Sequence, residues 1–335
     1  MRAVRSLLVG LALIAAACAP QLRPMGAVTT PPALLGDHLI AADGVKLPLR
    51  VWRPDGAPKS VILAVHGFND YSGAFALPAP FWAARGIVTY AYDQRGFGDS
   101  PDRGYWAGTA TLASDLRAAV AAIRHRHPGV ALHVVGVSMG GAVAMSALAD
   151  GGLPGVAGVV LVAPAVWGRA HMNLFERGAL WLATNTVPWL PLTIEAIEMR
   201  PSDNIPMLRQ LARDPKAIHK TRVDTLAGLV DLMDAAFAAA PALGRNRTGP
   251  FPHPPVLMLY GLRDELVPEN PSFAVMRSLA GNPRARRALY KNGHHMLLRD
   301  LAAKIVWRDI AAWIEDAAAP LPSGAAARAD RLLAP

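Results

Sequence analysis

Cysteine is almost absent. Cys18 is the only one in 335 residues, so the chain carries no internal disulfide. Charge is scarce too, at 18% of residues against 52% apolar, a balance that suits a large buried core and excludes global disorder. The formal charge of +9 comes without a basic, aromatic-interleaved stripe. Arginines are scattered, and the densest run, "PRARRALYK" (283–291), reads as a loop leading into a strand, so nucleic acid is not an expected partner. Long apolar runs are also missing. "GALWLATNTVPWLPLTI" (178–194) has no charge over 17 residues, but its length, Asn185, Pro188 and Pro191 argue against a membrane span. It reads as a core or lid helix, with Trp181 and Trp189 suited to a bilayer surface. No repeat and no metal-spaced cluster of His, Cys and acids occurs, so neither cofactor nor metal is expected.

The N-terminus has the grammar of export. Arg2 and Arg5 precede an apolar stretch from Leu7 to Ala17, too short to span a bilayer. Ala15, Ala16 and Ala17 stand directly before Cys18. This resembles a bacterial lipobox, although leucine is commoner at the place of Ala15. The resemblance implies removal of residues 1–17 as a lipoprotein signal peptide and a diacylglyceryl anchor on Cys18, facing the periplasm. Cleavage after Ala19 by an ordinary signal peptidase would leave Pro20 first, a poor context. Residues 18–36, rich in proline and small residues, read as a flexible tether.

From residue 37 the chain alternates. A hairpin around Asp43-Gly44 is followed by continuous apolar runs ("SVILAVHG", "GIVTYAYD", "VALHVVGVS", "VAGVVLVAP"), as buried parallel strands require. Helical segments separate them. Such alternation predicts an α/β fold with a mostly parallel central sheet flanked by helices. It stops at Ala165 and resumes at "PPVLMLYG", giving a core of 37–164 and 253–317 interrupted by a helical cap or lid at 165–252. The tail, 318–335, reads as loose.

"GVSMGG" sets Ser138 in a Gly-x-Ser-x-Gly frame between a predicted strand and a predicted helix. That turn pushes the serine oxygen outward and aims a helix N-terminus at the reacting centre. A serine needs a base, and the base an orienting carboxylate, following in the order Ser, acid, His. Asp264 in "YGLRDELVP" and a histidine of "NGHHML" fit, with Glu265 the weaker acid. "AVHGFND" follows the early central strand, so the amides of Phe68 and Met139 are candidate oxyanion donors. His66 reads as structural.

Together, "HGFNDYSGAF", "YDQRGFGDSP", "GVSMGG", "YGLRDELVP" and "HHMLLRD" resemble the serial motifs of the α/β-hydrolase family, above all its monoacylglycerol lipase and lysophospholipase branch, over residues 37–317. "LARDPKAIHKTRVDTLAG" resembles that branch's lid. The resemblance implies an α/β-hydrolase fold and a catalytic triad of Ser138, Asp264 and His295, because "HMLLRD" puts His295 in the catalytic slot and leaves His294 on the rim. It implies Asp93, Arg95 and Asp99 as structural support, and hydrolysis of a single-chain lipid ester through an acyl-enzyme. Val137 and Tyr71 depart from common family residues, which bears on head-group preference. The same triad serves peptidases, thioesterases, acyltransferases and cofactor-free haloperoxidases, and a dead scaffold would serve as a binding lipoprotein.

Overall fold

The computed structural model describes residues 19–193, 199–245 and 254–334. The expected signal peptide (1–17) and the expected anchor, Cys18, lie outside them.

The strands are β1 (Ala33–Leu35), β2 (His38–Ile40), β3 (Lys46–Trp52), β4 (Ser60–Val65), β5 (Ile87–Tyr92), β6 (Ala131–Val137), β7 (Gly158–Val162), β8 (Pro191–Thr193), β9 (Lys220–Arg222), β10 (Val256–Gly261) and β11 (Ala285–Tyr290). Nine of them form one sheet in the order β1-β2-β3-β5-β4-β6-β7-β10-β11, while β8 and β9 make a separate antiparallel pair. From β5 across to β11 the pairing is parallel. These are the continuous apolar runs of the sequence, and β4, β5, β7 and β10 are buried almost end to end, because helices cover both faces of a parallel sheet.

The helices are α1 (Pro78–Ala83), α2 (Thr109–Arg126), α3 (Met139–Ala149), α4 (Leu174–Thr186), α5 (Ile205–Leu211), α6 (Val223–Leu243), α7 (Glu269–Ser278), α8 (Ala303–Glu315) and α9 (Ala325–Leu332). Leu116, Met145, Leu232 and Met276 of α2, α3, α6 and α7 share one core with Leu63, Val134 and Met258 of the sheet. Trp307, Ile310 and Trp313 of α8 fill the opposite face with Ile62, Val135 and Leu257. α6 is long and apolar enough to cross a membrane, but it is half buried and packs along α3, so it is a core helix here.

Three segments differ from their compositional reading. The stretch expected as a tether is hydrogen-bonded along its length: Gln21 N–H donates to Asp224 Oδ2 (3.0 Å), Met25 N–H to Thr111 Oγ1 (3.1 Å) and Gly26 N–H to Asp43 Oδ2 (3.0 Å). In the tail expected to be loose, α9 buries Ala325 and Ala329, and Arg328 donates to the Leu289 carbonyl (2.8 Å). The insertion between β7 and β10 is not all cap, since α6 belongs to the core layer.

One buried group makes the core acid-sensitive. His133 on β6 is 5% exposed and stands edge-on to Trp313 (ring centroids 6.1 Å apart), with Nδ1 unpartnered among the described residues. Burial pushes its pKa down from 6.5 to about 4. The unfolded chain therefore takes up this proton first as pH falls, and stability drains between pH 6.5 and 4, by about 3 kcal/mol from this site. His133→Phe is expected to flatten the urea-midpoint profile across that window. A profile as steep as the parent's would assign the acid sensitivity elsewhere.

Candidate active site

Ser138 links β6 to α3, the junction predicted from the sequence. Its backbone sits at φ 50°, ψ −113°, a region that costs a residue with a Cβ on the order of 1–3 kcal/mol. The neighbours enforce it. Ser138 N–H donates to the Val162 carbonyl (2.9 Å), and its own carbonyl accepts from Ala142 (3.1 Å) and Ala165 (3.0 Å). Gly140 brings α3 against the end of β4, where a Cβ would lie 2.1 Å from the Val65 carbonyl oxygen. No side chain fits there.

The His66–Phe68 loop follows β4, the strand beside β6. A Cβ on Gly67 would stand 3.4 Å from that of Ser138, so this loop and the elbow are in contact. His66 is fully buried, and burial pushes its pKa down. Its Nε2 accepts from Gln94 N–H (2.9 Å), so the ring proton sits on Nδ1, which donates to the Gly67 carbonyl (2.8 Å). A trans peptide sets its N–H opposite its C=O, so this bond also fixes the direction of the Phe68 amide. Among the described residues no protein acceptor takes the N–H of Phe68 or of Met139.

Asp264 follows β10 and His295 follows β11, at the carboxyl edge shared with Ser138. His295 Nδ1 lies 2.8 Å from Asp264 Oδ2, and the carboxylate is fully shielded from solvent. A carboxylate only accepts, so Nδ1 carries the proton and Nε2 keeps a free lone pair. Asp264 Oδ1 accepts from the amides of Leu266 (2.8 Å) and Val267 (2.9 Å), which leaves the carboxylate no freedom to turn. Gly261 makes the approach of the two loops possible, since a Cβ there would meet the Gly293 carbonyl at 2.3 Å.

The two adjacent histidines divide clearly. His294 meets a different carboxylate: its N–H donates to Asp300 Oδ2 (2.8 Å), and its Nδ1 stands 3.6 Å from the same oxygen. Burial raises the Asp300 pKa, and Ser202 Oγ donates to Asp300 Oδ1 (2.7 Å). Glu265 accepts from the Arg200 amide (2.6 Å), outside the Asp264–His295 pair. His294→Asn is expected to keep kcat within roughly tenfold of the parent, since it removes no group that exchanges a proton with substrate. A loss as deep as that of His295→Asn would make His294 the base.

Several contacts could not be anticipated from motifs, because they tie the catalytic loops to the cap. Asn69, at φ 60°, donates from Nδ2 to Thr221 Oγ1 (2.7 Å), and its carbonyl accepts from Ile218 (2.9 Å). Tyr71 donates its hydroxyl to Asp214 (2.7 Å); burial and this carboxylate push the phenol up to about 12. Arg299 bridges from the histidine loop to Asp70 in the loop after β4, while Met296 N–H reaches the Pro201 carbonyl (2.8 Å). Asp93 braces the elbow's surroundings by accepting from Ser72 (2.8 Å) and Asp99 (2.9 Å), and Arg95 forks between Asp43 and Asp115. Asp99 pairs with Lys216 of the cap.

As a metal centre, one geometric candidate arises among the described residues. Asp203, His294 and Asp300 bring ligand atoms within 4.8 Å of one another. Their carboxylates already accept from Leu301, Ser202 and the His294 amide.

A strained serine elbow and an imidazole–carboxylate pair on one edge of a helix-covered parallel sheet define a serine hydrolase with the α/β-hydrolase fold. The family described as serine aminopeptidase, S33, matches residues 56–302, and the chain belongs to it. Among curated proteins it is 26% identical to human monoglyceride lipase over 289 residues (83% of this chain, 89% of that protein). It is 25% identical to the monoacylglycerol lipase of Mycolicibacterium smegmatis over 275 residues (81% and 93%). Similar solved structures include a monoglyceride lipase variant from Saccharomyces cerevisiae, with a TM-score of 0.68 at 18% identity over 88% of this chain and 98% of that one. The monoacylglycerol lipase of Paleococcus ferrophilus gives 0.64 at 21% over 80% and 98%.

Proposed function

We propose that the protein is a lipid-anchored esterase of the bacterial cell envelope that cleaves monoacylglycerol or lysophospholipid through an acyl-enzyme. Ser138 attacks the ester carbonyl. His295 Nε2 takes its proton and returns it to the leaving alcohol, while Asp264 holds the imidazole and stabilises its charged form. The amides of Phe68 and Met139 receive the oxyanion. Water then repeats the sequence on the acyl-serine.

The observation that carries the chemistry is the His295–Asp264 contact, which supports an imidazole held with its free nitrogen on Nε2. The substrate class rests on the relatives at about 25% identity, and the anchor on the Cys18 sequence context. The family's description favours a second reading, an aminopeptidase with the same triad.

Both are separated by one panel. Purified residues 19–335 are offered a medium-chain 1-monoacylglycerol, a lysophospholipid and aminoacyl p-nitroanilides, with a fluorophosphonate probe reporting on Ser138. Fatty-acid release is the expected result. Anilide cleavage without it would turn the assignment to the peptidase. A folded chain that neither turns over nor labels would leave a binding protein.

A further inference from the structure

The cap exposes an apolar edge. On α4, Leu174, Phe175, Trp181 and Leu182 point outward, with Phe175 83% and Trp181 67% exposed. Their spacing puts them on one helical face. Trp189, in the turn that follows, is 52% exposed. Patches of this kind on a monomer mark an interaction site. Arg177 is exposed on the same helix, and Lys220 on β9 is exposed without a carboxylate partner among the described residues.

The N-terminal segment ends beside this edge. Gln21 N–H donates to Asp224 Oδ2 at the start of α6, Leu22 bridges to Trp106, and Arg23 N–H donates to the Trp106 carbonyl (2.8 Å). Arg23 also lies over the Tyr105 ring (5.0 Å). The amide of Asp224 in turn donates to the Pro188 carbonyl (3.0 Å), and that of Val223 to Leu190 (3.1 Å). One residue therefore joins the docked segment to the turn that carries Trp189. Cys18 is three residues before Gln21 in the chain, a reach of at most about 11 Å.

We infer that residues 21–30 are an orienting strap, which holds the Phe175/Trp181/Trp189 edge of the cap against the bilayer that carries the anchor. This rests on the anchor at Cys18 put forward above. A long slack tether would let the body tumble. A strap docked to within a few residues of the acyl chains sets which face meets the lipid. Tryptophans at the headgroup level and exposed basic residues beside them suit an anionic bilayer surface.

The test couples residues 18–335 through the Cys18 thiol, the sole cysteine, to a maleimide lipid in phosphatidylethanolamine/phosphatidylglycerol vesicles containing brominated lipid. Of the eight tryptophans, only Trp181 and Trp189 are exposed among the described residues. Bromolipid is expected to quench the parent, and the quenching to vanish in Trp181→Phe/Trp189→Phe. A twelve-residue Gly/Ser linker after Ala19, with a reach of about 19 Å, is expected to weaken it. No quenching in the coupled parent overturns the inference. Quenching unchanged by the linker overturns the strap, because the edge then binds lipid unaided. Self-association of the uncoupled chain that is lost in the Trp variant would assign the edge to a second copy and overturn the bilayer. Palmitate labelling of cells with Cys18→Ser as control tests the anchor separately. Its failure would remove the anchor while the coupled-vesicle geometry stood.

Discussion

Ser138→Ala is expected to lower kcat on a medium-chain monoacylglycerol on the order of 10⁵- to 10⁶-fold, the cost of removing a nucleophile whose partners act only through it. The fold is expected to be unharmed, because alanine keeps the Cβ and every backbone bond of the elbow. Ser138→Gly makes a sharper pair with it. Glycine is equally inactive but tolerates φ 50°, ψ −113°, so it relieves about 1–3 kcal/mol of backbone strain. Urea melts at constant m-value read this directly. A glycine variant no more stable than the alanine variant would mean that the elbow stores no such strain, and residual turnover near the parent's would place the nucleophile elsewhere.

Asp264→Asn is expected to cost about 10⁴-fold in kcat with KM little changed, the size seen when a triad carboxylate becomes an amide. The reason lies in which atoms Asp264 faces. The amides of Leu266 and Val267 both point at Oδ1, so the asparagine oxygen must occupy that place. Its NH₂ then turns toward His295 Nδ1, which has to become an acceptor. The ring proton moves to Nε2, and the base can no longer take a proton from Ser138. Nitrogen NMR of the His295 ring reports the tautomer, and the pH–rate profile reports the lost base. Full activity in Asp264→Asn, or an equal loss in Glu265→Gln, would reassign the acid.

The candidate site is legible in the sequence because its residues sit at the ends of strands that are themselves legible. β4, β5, β6, β7 and β10 are long apolar runs, and Ser138, Asp264 and the histidines follow three parallel strands that converge on one edge. Short elements are not legible. β8 and β9 have three residues each, and their pairing carries no periodic signal. The amphipathic run "LLRDLAAKIVWRDIAAWIEDAA" (297–318) reads as one long helix, yet the helix begins only at Ala303, because residues 296–302 turn back to bring Asp300 under His294 and Asp203 against Leu301. Asn69 and Tyr71 escape a motif reading for another reason: their partners, Thr221 and Asp214, lie over 140 positions away. The docked N-terminal segment escapes composition altogether, since its bonds are made by the backbone amides of Gln21, Met25 and Gly26, a donor that every residue except proline possesses. The resemblance pointed to His295 where spacing alone left His294 and His295 open, and it is His295 that the structure sets against Asp264.

Helix α6 stands in both halves of the molecule. Its first residues close the cap, through Val223 to Leu190 and Asp224 to Pro188, while its body, from Leu229 to Leu243, is packed into the sheet domain's own core. A graft that exchanges lids between such hydrolases at the apparent insertion borders would therefore tear out a wall of the recipient. Cuts placed after Ala165 and before Val223 keep that wall, and transplant only the portion that carries the exposed apolar edge of α4.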